Sequence, residues 1–144
     1  VAVIALVFLS IMLRPDEIKL KKSYEVESLL QATLGYTSNC LEDSSGGNYQ
    51  KISELIYSCN LNKMWRNNVS GTSKSACQTL EEDISAILEE NKKLNQEKLK
   101  GYSLSINQGS YNLLNIQEGN ITKIYRGYSQ PLAEEVNVSL IFYS

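Results

Sequence analysis

The chain has 144 residues, and its 42% hydrophobic and 21% charged residues are typical of a globular domain with a buried core. A net charge of −2 argues against the basic surface of a nucleic-acid-binding domain, so no nucleic acid is expected as a partner. The sequence has no histidine, which removes the commonest general base and the commonest zinc ligand. We therefore expect no enzymatic activity, no catalytic residue, no metal site and no cofactor.

Residues 1–13 are apolar except for Ser10, and the run ends at Arg14-Pro15-Asp16. A helix that spans a bilayer needs about 20 apolar residues, so this segment is short for a complete span. It is not a typical signal peptide, because no small residues mark a cleavage site at Arg14-Pro15-Asp16. We interpret it as a permanent N-terminal helix from a longer membrane-inserted stretch. Its predicted assembly contacts are Val1, Val3, Ile4, Leu6, Val7, Phe8, Ile11 and Leu13.

The next stretch, to Leu34, has apolar residues at helical spacing and predicts an amphipathic continuation that Gly35 ends. We assign residues 1–38 to a helical stalk and residues 39–144 to a globular head. The apolar face of the continuation consists of Leu20, Tyr24, Val26, Leu29, Leu30, Thr33 and Leu34.

Two further helices are predicted in the head. The first is short, with one apolar face formed by Ile52, Leu55, Ile56 and Cys59. The second begins at Ser75 or Cys77 and ends at Gly101, and its apolar face consists of Leu80, Ile84, Ile87, Leu88 and Leu94. The polar segments Cys40–Gln50 and Asn60–Ala76 are predicted as loops.

The apolar residues then change to a period of two, which is typical of strands. Strands are predicted at Tyr102–Ile106, Tyr111–Gln117, Ile121–Arg126 and Val136–Phe142, with Gly127–Glu135 as a connection. Helices followed by hairpin-linked strands predict an α+β fold, in which an antiparallel sheet of about four strands is covered by helices.

Cys40, Cys59 and Cys77 are too far apart in sequence for a metal-binding CxxC motif. Cys59 falls on an apolar helical face, whereas Cys40 and Cys77 stand at helix boundaries beside polar loops. This placement favours a disulfide between Cys40 and Cys77, with Cys59 as a buried thiol. A bond between Cys59 and Cys77 remains possible.

Three Asn-x-Ser/Thr motifs are candidate sites for N-linked glycans, at Asn68, Asn120 and Asn137. The chain is rich in asparagine and serine, so chance matches are also expected. Nine tyrosines against two phenylalanines suggest a hydrated outer surface.

Several short motifs together resemble those of archaeal type IV pilin-like and flagellin-like surface proteins. They are Arg14-Pro-Asp, Ser23-Tyr24, Leu29-Leu30, Leu34-Gly-Tyr-Thr-Ser-Asn-Cys40, Ile52-Ser-Glu-Leu-Ile56, Cys77 before a helix, and the C-terminal Val136–Tyr143. Bacterial pilins carry a glutamate near the mature N-terminus where this chain has Ala5, which favours the archaeal branch. The resemblance implies a subunit that is matured by a prepilin-type peptidase and assembled into a filament around a bundle of N-terminal helices.

The expected function is therefore that of a structural filament subunit at the cell surface. Its partners would be copies of itself, and residues 1–13 would be inserted in the cytoplasmic membrane before assembly. The alternative is a membrane-anchored extracytoplasmic domain, either a binding module or an accessory subunit, that does not polymerise. An extracytoplasmic enzyme that relies on carboxylates alone is the least favoured class.

Overall fold

A computed structural model describes residues 23–41, 49–61, 64–67 and 73–144. The predicted assembly residues of segment 1–13 and the first part of the predicted stalk lie outside this range. Three helices are present in the described residues: α1 (Tyr24–Gly35), α2 (Ile52–Asn60) and α3 (Ala76–Leu94). Together with antiparallel sheets they form the predicted α+β fold, with two helices after the one that ends the predicted stalk.

The larger sheet has the four antiparallel strands expected from the alternating pattern. They are β5 (Gly101–Gln108), β6 (Tyr111–Gly119), β7 (Tyr125–Pro131) and β8 (Val136–Tyr143), in the order β6-β5-β8-β7. Residues that alternate along the two central strands point to the helices, and these side chains are buried. They are Tyr102, Leu104 and Ile106 of β5 and Val136, Val138, Leu140 and Phe142 of β8.

The third predicted strand, Ile121–Arg126, is wrong in its position, because β7 begins at Tyr125 and continues to Pro131. The backbone of 120–124 instead crosses the end of the sheet. The N–H of Asn120 donates to the Lys100 carbonyl at 3.0 Å, and the N–H of Ser144 donates to the Ile124 carbonyl at 2.9 Å. Proline lacks an N–H, and Pro131 is tolerated because β7 is an edge strand.

A smaller four-stranded sheet was not predicted. Its strands are β1 (Thr37–Leu41), β2 (Tyr49–Lys51), β3 (Met64–Asn67) and β4 (Ser73–Ser75), in the order β2-β1-β3-β4. These strands flank the helices in sequence and lie partly in the segments predicted as loops. They contain three to five residues each, too few for a polar–apolar alternation to be read.

Helix α3 begins where its sequence predicts and ends earlier. Ser75 is the N-cap: the Gln78 N–H donates to Ser75 Oγ at 3.1 Å, and the Ser75 N–H donates to Gln78 Oε1 at 3.3 Å. This reciprocal pair satisfies two N–H groups at the helix start. The helix ends at Leu94 and not at Gly101, so Leu94 leaves the predicted apolar face and is 79% exposed.

The helices and the large sheet enclose one hydrophobic core. From α1, Val26, Leu30 and Leu34 are buried against the head, together with Thr33, whose hydroxyl donates to the Leu29 carbonyl at 2.8 Å. Tyr24, placed on the same face by its sequence spacing, is 79% exposed instead. The described part of the predicted stalk is therefore part of the head's own core.

The predicted Cys40–Cys77 disulfide is wrong, because Cys77 is bonded to Cys59, with their Cα atoms 4.5 Å apart. Cys59 lies on the apolar face of α2, as its spacing indicated, and this face packs against α3. Cys77 is the second residue of α3 and meets Cys59 at that contact. Cys40 lies on β1, where its backbone is in register with Asn67 of β3.

Candidate assembly surface

The start of α1 is fixed over β7 by two polar contacts. The backbone N–H of Ser23 donates to the Gly127 carbonyl at 3.4 Å. The Arg126 guanidinium donates to the Glu25 carboxylate at 3.2 Å, at the surface. The first turn of α1 therefore lies beside the first residues of β7.

The outward face of α1 carries no charged residue between Gln31 and Gly35 and is built mainly from small side chains. Ser28, Gln31, Ala32 and Gly35 are exposed and follow one another at helical spacing, with Tyr24 one turn before them. A Cβ atom added at Gly35 would meet nothing within 4 Å. The surface over this half of the helix is therefore flat enough for another helix to approach closely.

The outward face of α3 has the opposite character. Its exposed residues include Glu81, Glu82, Glu90 and Lys93. Glu82 accepts a hydrogen bond from Lys74 Nζ at 2.6 Å, and Glu89 pairs with Lys92 at 3.6 Å within the helix. A charged outer face is what a helix facing water normally shows.

A groove of about 230 Å³ separates α1 from the end of α3. Leu29, Leu99 and Phe142 give it an apolar part, and the other residues give it mixed polar and charged edges. The lining residues are Glu25, Leu29, Asn91, Asn95, Lys98, Leu99, Arg126 and Phe142.

Burial raises the pKa of two ionisable groups in the head. Tyr102 is 1% exposed, and its burial, together with the negative charges of Glu89 and Glu118 and a hydrogen bond to Glu89, raises its pKa to about 12. Burial also raises the pKa of Asp83, aided by the neighbouring Glu82 and opposed by Lys74. Neither residue lines the groove.

The predicted glycan sites fall in different environments. Asn68 lies outside the described residues. Asn120 is exposed in the connection between β6 and β7, and Asn137 is exposed on β8, next to β5 and β7. The assembly residues of segment 1–13 also lie outside the described range.

Two possible features are absent from the part of the chain that the structure describes. None of its helices combines the length and the apolar character needed to cross a bilayer. No three acidic, cysteine or histidine side chains in it are grouped so that they could hold a metal ion.

The outward face of α1 was missed by the sequence interpretation, which considered only the apolar side of this helix. The available signal was the spacing of Ser28, Ala32 and Gly35, four and three residues apart, without a charge among them. Comparisons of the chain with protein-family models, with curated proteins and with solved structures found no match.

Proposed function

We propose that this chain is a structural subunit of an extracellular helical filament of the type IV pilus kind. Residues 1–13 pack against the same segment in neighbouring copies, and the head faces solvent. Before assembly the apolar segment lies in the cytoplasmic membrane. The single observation that carries the proposal is that the apolar segment is followed, after ten intervening residues, by a helix whose outer face is small and uncharged beyond its first turn.

Burial of apolar surface is the first reason. Thirteen consecutive residues with one polar side chain would expose a large contiguous apolar patch if each copy were alone in water. Neighbouring copies remove that patch from water. When the contact joins two different surfaces and does not close into a ring, its repetition produces a filament.

The shape of α1 is the second reason. Helices pack with their axes about 8–10 Å apart, and small side chains at the contact allow the shorter distances. Ser28, Ala32 and Gly35 would supply such a contact on the helix that follows the apolar segment in sequence. A charged face such as that of α3 would require its charges to be paired or removed from water, which is costly.

The disulfide supports a location outside the cytoplasm. Such bonds persist in oxidising compartments and are rare where thiols are kept reduced. Cys59 and Cys77 connect α2 to the first turn of α3, so the bond stabilises the head and leaves α1 free for contacts between subunits.

A substitution in the apolar segment tests the proposal. Leu6→Asp would place an unpaired carboxylate among neighbouring helices, where its desolvation costs several kcal/mol per ion. We expect no filaments from this variant, while its head remains folded. Ser110→Asp, in the exposed turn between β5 and β6, adds the same charge outside any proposed contact and should leave filaments intact.

Filaments should be counted by electron microscopy of the cell surface, and folding should be followed by resistance of the head to proteolysis. Normal filaments in the Leu6→Asp strain would show that the apolar segment is not the core of the polymer. The alternative, a membrane-anchored extracytoplasmic domain that does not polymerise, would then replace the proposal. Wild-type protein that occurs only as dispersed membrane particles would have the same consequence.

A further inference from the structure

The two Asn-x-Ser/Thr motifs within the described residues differ in how firmly the fold holds them. The motif at Asn137 lies in β8, which is paired on both sides. Asn137 is in register with Asn107 of β5 and with Pro131 of β7, and Ser139 is in register with Ser105 and Ser129. Its backbone is therefore held in the extended conformation of a central strand.

The side chains of this motif are also engaged. Asn137 Nδ2 donates to Ser129 Oγ at 2.9 Å, and Asn137 Oδ1 is 3.1 Å from the same hydroxyl. The Ser139 hydroxyl lies 2.8 Å from Ser129 Oγ. A transferring enzyme has to bind the asparagine carboxamide and the hydroxyl together. At Asn137 this would require it to break a three-residue network and to lift a central strand from its neighbours.

The motif Asn120-Ile121-Thr122 is less restrained than the motif at Asn137. It lies between β6 and β7, outside both strands, and Asn120 is exposed. Its backbone N–H is bonded to the Lys100 carbonyl, but its carboxamide makes no hydrogen bond to any residue that the structure describes. The Thr122 hydroxyl donates to the Ile124 carbonyl at 2.8 Å, a single hydrogen bond that the enzyme would have to replace.

A second observation concerns the side chains beside Asn120. Ile121 is 60% exposed and Ile124 is 69% exposed, so two large aliphatic groups face water in the same five-residue connection. A glycan on Asn120, which directly precedes Ile121 and stands four residues before Ile124, is bulky and hydrated and would shield these side chains from water.

We infer that Asn120 is a glycosylation site of the folded head and that Asn137 is not. In the reaction, Asn120 Nδ2 attacks the anomeric carbon of the first sugar of a lipid-linked oligosaccharide. A nitrogen–carbon bond forms, the bond from that carbon to the lipid phosphate breaks, the lipid phosphate leaves, and the carboxamide gives up one proton. The transfer requires an oligosaccharyltransferase on the outer side of the membrane, and it does not require filament formation.

Mass spectrometry of the full-length protein from its native cells tests this inference. Peptide mapping of the wild type should find a glycan on Asn120 and an unmodified Asn137. The intact masses of Asn120→Gln and Thr122→Ala should each be lower than that of the wild type by one glycan, beyond the change of residue. Thr122→Ser keeps the motif and should keep the glycan, and Asn137→Gln should change only the residue mass.

A physical measurement complements the masses. The Asn120→Gln protein should bind more of a hydrophobic fluorescent dye than the Asn137→Gln protein, because Ile121 and Ile124 lose their cover. An unmodified Asn120 in the wild type, or a glycan on Asn137, would overturn the inference. Neither result would bear on the filament, which is scored separately by microscopy.

Discussion

Helices α1 and α3 lie on the same core but differ on the side that faces away from it. Val26 and Leu30 of α1 are as completely buried as Leu80 and Leu88 of α3. The outer face of α3 is charged, whereas that of α1 is small and uncharged beyond its first turn. The buried faces explain why both helices fold onto the sheet. The outer faces indicate that α3 is suited to contact with water and α1 to contact with another helix.

The two helices are also attached to the head in different ways. Helix α3 is joined by the Cys59–Cys77 disulfide and by its buried apolar face. Helix α1 is joined by its apolar face and by an exposed ion pair between Glu25 and Arg126. Exposed ion pairs contribute only about 0–1 kcal/mol, so apolar packing is the main attachment of α1.

The largest expected difference between the two helices concerns assembly. Ala32 of α1 and Ala86 of α3 are both exposed alanines in the interior of a helix, which makes them a matched pair. Glutamate is nearly as good a helix former as alanine, but each substitution adds an unfavourable charge interaction. Ala32→Glu places a negative charge in the last turn of α1, and Ala86→Glu places one beside the acidic side chains of α3. Each should lower the free energy of unfolding by about 1 kcal/mol or less. We expect Ala32→Glu to abolish filaments and Ala86→Glu to leave them unchanged.

Filaments can be counted by electron microscopy, with the free energy of unfolding of each isolated variant measured in urea. Equal filament numbers in both strains would show that the outer face of α1 makes no contact between subunits. Loss of filaments in the Ala86→Glu strain alone would reverse the roles that we assign to the two helices.

The sequence predicts most of the large sheet and of the helices because their patterns are long. Eight residues alternate in β8, and α3 has both a capping serine and an apolar face over several turns. In such segments local preference and burial favour the same structure, so the prediction is reliable. The antiparallel sheet, the short helix and the start of α3 are confirmed.

The features that were missed depend on contacts between distant residues. The strands of the small sheet are too short to carry a pattern, and β7 is displaced because residues 120–124 are needed to cross the end of the sheet. The disulfide was assigned wrongly because a buried face was treated as a reason for a free thiol. The same face had to pack on a neighbour, and that neighbour, α3, carries Cys77.

The next prediction concerns the buried Tyr102 of β5 and is tested at high pH. The pKa of Tyr102 is raised to about 12 in the folded state, against an ordinary value of 10.0. Its folded pKa lies above its unfolded pKa, so its contribution to stability is complete below pH 10 and is lost between about pH 10 and 12. A two-unit difference corresponds to about 2–3 kcal/mol in total, of which about 1 kcal/mol is lost by pH 11.

Tyr102→Phe keeps the ring and removes the ionisable group, so the variant should lack this part of the alkaline loss. Urea unfolding at pH 8, 9, 10 and 11 measures the difference in the free energy of unfolding between the wild type and the variant. The titration of lysines and of the other tyrosines affects both proteins and cancels in this difference. A constant difference between the two proteins from pH 8 to pH 11 would show that Tyr102 ionises as readily in the folded state as in the unfolded chain.

The smallest expected effect is at Gly35, the last residue of α1. An added Cβ atom would meet nothing within 4 Å there. Replacing a glycine by alanine where the backbone permits it stabilises a protein by about 0.4–1 kcal/mol, mainly by restricting the unfolded chain. Gly35→Ala should therefore raise the free energy of unfolding. Gly109→Ala is the control and should lower the free energy of unfolding, because Gly109 has φ +55° and alanine would be strained there.

Gly35→Ala also tests how far along α1 the contact between subunits extends. A methyl group that is harmless in the isolated head would separate two closely packed helices, so we expect fewer filaments per cell from a subunit that is more stable. More stable subunits with an unchanged number of filaments would place the end of the contact before Gly35. In that case Ser28 and Ala32 would form the surface that the next subunit meets, and substitutions at those two residues would define it.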